Sequence, residues 1–262
     1  METPEPNPKK SRWQWLDAIP DPVAAVALAL TILQLATALA PVRAVRRLWR
    51  LVEVSPARIA RAAEAGDWAG LVRPYLGHMF FHINLVHYVV NLTAILTAGT
   101  LVFREMQAKT APGKSDPAAA FIAFFLLCGM AGAFAFVALN PKTYMPMIGA
   151  SGAAAGLFGA VVLMIARRDW SALPLVGAAK TIFVIVAIST ALVIVNYVLF
   201  ALFDSLLDLL QSNKLMLSRI PGWRSKLNIW LGGGSAWQAH AGGYLFGLVA
   251  FPLFERMARS SR

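Results

Sequence analysis

Four histidines occur in 262 residues, and all of them, His78, His82, His87 and His240, fall inside or at the edge of strongly apolar stretches. An ionisable side chain in such a setting is costly, so it marks a functional site by default. The string HMFFHINLVHYVVN places His82, His87 and Asn91 in H-x4-H-x3-N spacing. At about 100° per residue His87 and Asn91 lie about 40° apart on one helical face, so both can aim hydrogen-bond donors at one point. That arrangement suits an oxyanion pocket. It also suits a polar seam that joins helices inside a bilayer.

A second string, Gly149-Ala150-Ser151-Gly152-Ala153-Ala154-Ala155-Gly156, follows Pro146 and opens an apolar run. A serine at a helix start is commonly only an N-cap. The flanking glycines allow a sharp turn and a close helix neighbour, and they leave the Ser151 hydroxyl and N–H open to a carbonyl group. The helix dipole at that end favours a developing oxyanion. A third string, AWQAHAGGYLFG, holds His240 one turn before Gly243 and Gly247. Glycines four apart form a groove for a second helix. If the Gly152/Gly156 helix packs there, Ser151 and His240 come within hydrogen-bonding distance, and a neutral imidazole activates a hydroxyl near neutral pH. Asp169, Asp204 and Asp208 lie in connecting segments, so the reading is a Ser–His dyad without a third member.

The elements that must position these groups are membrane helices. The chain is 58% hydrophobic and 14% charged, and its mean hydropathy is +0.61. Soluble domains are about 45–50% apolar and about 25% charged, so one aqueous core cannot absorb this composition, and disorder is excluded as well. Runs of about 20 apolar residues are spans. They are expected at 22–41, 79–102, 118–139, 147–166, 180–203 and 237–255, which places both termini on one side. Ala38-Leu39-Ala40 resembles a signal-peptidase site, but the run before it is long and more spans follow, so it reads as a retained first span.

Residues 1–20 read as a polar tail with Lys9, Lys10 and Arg12, and 21–258 as one membrane domain. Residues 42–77 carry Arg43, Arg46, Arg47, Arg50, Arg58, Arg61 and Arg73 between apolar positions and read as an interfacial helix or hairpin. The 24 Lys and Arg divide evenly between the two sides, so an N-terminus inside follows only when that stretch is set aside as embedded. The net charge of +11 is scattered among short polar segments and forms no basic stripe with aromatics, so nucleic acid is not an expected partner. The single cysteine, Cys128, makes no intrachain disulfide and no thiolate cage. Residues 204–236 form a long connection broken at Pro221-Gly222 and Gly232-Gly233-Gly234, read equally as a gate for substrate or an idle surface loop.

The three strings, in this order on the second, fourth and sixth spans, strongly resemble the rhomboid family of intramembrane serine proteases from about Arg73 to Arg256. The resemblance implies an all-α, six-span bundle with an interfacial first loop. It makes Ser151 the nucleophile and His240 its base, with His87, Asn91 and the Ser151 N–H as oxyanion donors. It adds His82 near the path of water, and Gly149 and Gly152 around the serine. No cofactor or metal is implied; the partners are transmembrane protein substrates and the lipid bilayer, with oligomeric state open. Richness in Ala and Arg is compatible with a bacterial inner membrane.

The chain departs from the pattern at several places. Ala155 stands where many relatives carry an aromatic against the histidine, the first loop reads Leu71-Val72-Arg73-Pro74, Glu105 falls late, and 204–236 is long. The alternatives are a catalytically silent rhomboid-like protein that binds membrane clients, which loss of the Ser or His would favour although both are present, and a haem- or proton-handling protein, which leaves the glycine-flanked serine unexplained. Ion or quinone transport is further disfavoured by the lack of an expected intramembrane carboxylate.

Overall fold

A computed structural model describes residues 19–108, 117–167 and 236–259, all helices and connecting turns. The polar tail, the 180–203 span and the 204–236 connection lie outside the described residues, apart from Ile19, Pro20 and Ala236 at their edges. Helix α1 (Asp21–Leu39) is followed by three short helices, α2 (Val42–Val52), α3 (Pro56–Glu64) and α4 (Trp68–Gly77), and a 3-10 turn at His78–Phe80. The long helices are α5 (Leu85–Ala108), α6 (Pro117–Leu139), α7 (Ser151–Arg167) and α8 (Trp237–Arg259).

Asp21–Leu39, His87–Ala108 and Pro117–Leu139 are each long and apolar enough to cross a bilayer, and Ser151–Arg167 is a shorter apolar helix. The protein is an integral membrane protein with an all-helical fold among the described residues. Val23, Val26 and Leu30 turn α1 onto the core, where Ile95, Val102, Phe121, Phe124 and Leu157 are buried.

Three expected boundaries move. The second helix begins at Leu85 rather than residue 79, because the Asn84 carboxamide accepts the His87 N–H at 2.7 Å and caps it. His82 therefore precedes the helix that carries His87 and Asn91. The fourth begins at Ser151 rather than 147, because Val54 and Met147 pair through two backbone hydrogen bonds of 2.9 Å and hold the chain extended there. The 42–77 stretch, expected as an interfacial helix or hairpin, is three short helices. Pro56 starts α3, Gly66 ends it at φ +67°, and Asp67 caps α4 on the Gly70 N–H at 2.9 Å.

Helices α6, α7 and α8 form the centre, and glycine makes their approach possible. A β-carbon at Gly243 would overlap the Gly152 carbonyl, and one at Gly247 would lie 2.6 Å from the Gly156 carbonyl carbon. Helices α7 and α8 thus run parallel in register. Antiparallel to them, α6 brings Gly132 to within 2.6 Å of the Ala239 carbonyl oxygen, measured from the same notional β-carbon. At the opposite end Arg167 meets the buried Glu255 carboxylate at 3.7 Å.

Candidate active site

The parallel register sets the site. Ser151 is the first residue of α7 and His240 lies in the first turn of α8, so pairing Gly152 with Gly243 levels the two side chains. His240 Nε2 and Ser151 Oγ are 2.9 Å apart, and both residues are half-buried. Gly152 packs against Gly132, beyond which residues 133–139 of α6 continue. At 1.5 Å per residue those seven residues place the dyad about 10 Å below the end of α6. The first turn of α7 leaves N–H groups outside the helical ladder, and the Ser151 N–H is among them.

The turn before the serine is held from several sides. Gly149 takes φ +128°, a conformation that L side chains rarely adopt, and its N–H donates to the His78 carbonyl at 2.9 Å. A β-carbon there would sit 2.5 Å from Cε1 of His87, so glycine lets that ring lie against the turn. The Ala150 N–H points to His82 Nε2 at 3.4 Å. The rings of His82 and His87 meet edge to face at 5.2 Å, and the Nδ1 atoms of both are buried without a hydrogen-bond partner among the described residues. Asn91 is buried, and its amide donates to the His87 carbonyl at 2.7 Å, which leaves its second N–H for another acceptor.

Ser151, His240, His87, His82, Gly149 and the Gly152/Gly243/Gly247 contacts thus converge. Asn91 stands one turn from His87, with its amide on that residue's backbone. His78 is spent structurally, its Nδ1 on the Pro74 carbonyl at 2.9 Å. Three contributors escape sequence reading. Gly132 was hidden in a run of small residues. Tyr88 hydrogen-bonds Thr31 of α1 at 2.7 Å while its ring edge rests on His82 at 5.7 Å. Val54 ties the first loop to the segment that leads to the serine. Among the described residues no cluster of His, Cys, Asp and Glu could hold a metal.

The site thus sets a serine hydroxyl hydrogen-bonded to an imidazole within a bundle of apolar helices. The Rhomboid domain family matches residues 69–256, more than half of the chain, and the protein belongs to the rhomboid family. Its members are usually intramembrane serine proteases. Comparison with curated proteins and with solved structures found no match.

Proposed function

We propose that this rhomboid is an active intramembrane serine endopeptidase that cleaves single-span membrane proteins with a Ser151–His240 dyad. The observation that carries the reading is the 2.9 Å contact between Ser151 Oγ and His240 Nε2. His240 takes the hydroxyl proton as Oγ attacks the scissile carbonyl. The resulting oxyanion is met by the Ser151 N–H, by His87 and by the second N–H of Asn91, aided by the positive end of α7. His240 then protonates the leaving amine, and water, deprotonated by the same imidazole, hydrolyses the acyl-enzyme.

No cofactor enters this chemistry. His82 orients the Ala150 amide just before the nucleophile. With Ala155 in place of an aromatic, the bond to Ser151 and the glycine packing of α8 support the His240 ring. The Ala- and Arg-rich composition fits a bacterial inner membrane.

The test uses a fluorophosphonate probe and a reporter with a labile transmembrane helix, in detergent and in liposomes. Wild-type protein should be labelled and should cleave; Ser151→Ala and His240→Ala should do neither while remaining folded. A folded wild type that neither labels nor cleaves would make the chain a silent client-binding protein. Full activity in either variant would end the dyad assignment.

A further inference from the structure

The short helices between α1 and α5 border an open cleft that the proteolytic chemistry does not use. Its volume is about 410 Å³, and Arg50, Arg58, Arg61 and Arg73 line it with Glu53 and Asp67. Glu53 is bound by Arg58, and Asp67 caps α4 through a neutral N–H and keeps its charge, so four guanidinium groups against two carboxylates leave the lining with an excess of two positive charges. Arg61 donates to the Ala57 carbonyl at 3.3 Å and lies over the Tyr144 ring at 5.6 Å. Arg50 and Arg73 are exposed and have no acidic partner among the described residues. On α2, Arg43, Arg46 and Arg47 fall with Arg50 within an arc of about 100°, so the excess positive charge continues outward from the cleft.

Apolar side chains stand exposed beside this charge. Leu48 and Leu51 lie along one edge of the arginine face of α2, and Trp68, Val72 and Leu76 make an i, i+4 row on α4 next to Arg73. The cleft also lies at the edge of the hydrocarbon region, since only two residues separate the end of the spanning helix α1 from the start of α2. A soluble anion would satisfy the arginines and leave the leucines and tryptophan in water. A lipid with an anionic headgroup satisfies both, with its phosphate among the guanidinium groups and its acyl chains along the apolar rows.

We infer that the α2–α3–α4 cleft is a binding site for the phosphate headgroup of an anionic phospholipid. The site sits on the serine side of the molecule, because α3 and the residue before its cap pair with the segment that leads to Ser151. The Ala57 N–H donates to Thr143 at 3.2 Å, and Val54 pairs with Met147. A bound lipid braces that segment. The assignment does not depend on the chemistry of Ser151.

The test is native mass spectrometry of the full-length protein released from detergent containing equal phosphatidylglycerol and phosphatidylcholine. Wild type should retain phosphatidylglycerol preferentially. Each guanidinium removed near a membrane surface should weaken that preference about fivefold, and Arg50→Gln with Arg73→Gln about thirtyfold. The corresponding Lys pair should keep most of it, as should Arg256→Gln, an exposed change at the far end of α8. Equal retention of both lipids by wild type overturns the proposal without any variant. So does a preference unchanged in the Gln pair. Displacement by free glycerophosphate at matching concentration would move the site to soluble phosphates, and equal displacement by an acidic peptide would move it to a protein partner. Either result overturns the lipid assignment.

Discussion

Alanine at Gly247 tests the claim that helix proximity sets the dyad. The added β-carbon would lie 2.6 Å from the carbonyl carbon and 2.7 Å from Cα of Gly156. Carbon atoms in contact prefer about 3.5–4.0 Å, so α7 and α8 must part by about 1 Å. The obstruction is backbone, which cannot rotate away as a side-chain tip can. Residue 247 is two turns below His240 on a stiff helix, so much of the separation reaches the site. A Ser151–His240 distance of 2.9 Å that grew by a comparable amount would leave hydrogen-bond range. Overpacking of this kind costs about 1–3 kcal/mol of stability, and misplacing reacting groups by about 1 Å costs on the order of 100-fold in rate. The assay pairs a thermal melt with the fluorophosphonate labelling rate in one detergent. Gly99→Ala is the control, since its β-carbon would meet nothing closer than 3.4 Å. If Gly247→Ala melts and labels like wild type while Gly99→Ala does the same, close glycine packing is not what aligns the dyad.

Further outcomes follow from the turn and the histidines. His87→Ala and Asn91→Ala should each lower kcat/KM by about 10²–10³ because other oxyanion donors remain, and unchanged values in both would place the pocket elsewhere. Gly149→Ala should be more damaging than its size suggests, since it meets both φ +128° and the His87 ring; loss of labelling with a lowered Tm is expected. Tyr88→Phe removes the hydroxyl bonded to Thr31 but keeps the ring edge on His82, so it should cost about 1 kcal/mol of stability with labelling nearly intact. Tyr88→Leu should slow labelling as well, and equal labelling in the two variants would show that the ring does not position His82.

How much of this was legible beforehand depended on whether a signal was local. Apolar runs set the spans at 118–139 and 22–41 nearly to the residue, because desolvating a polar backbone in lipid forces each long apolar run into a helix. The chemistry-bearing residues were legible for a similar reason: histidines and a glycine-flanked serine are conspicuous among leucines and alanines. Helix starts were less visible where a cap or a tertiary pairing decided them. Asn84 ends the extended stretch before α5, and Met147 is held out of α7 by the φ of Gly149 together with pairing to Val54, more than ninety residues earlier.

Composition alone indicated a membrane protein, an amphipathic arginine-rich first loop and two glycine-notched helices. The register between those helices was a matter for tertiary structure. Gly152 meets Gly243 and Gly156 meets Gly247 at distances that leave no room for a β-carbon on α8, and that alignment levels Ser151 with His240. Likewise, arginines spread from residue 50 to 73 form one cleft only after three short helices fold back on each other. Hydropathy is a property of each residue with its immediate neighbours, so the sequence displays it directly. Distances between side chains far apart in the chain are set by packing, where a single methyl group decides whether two backbones can touch.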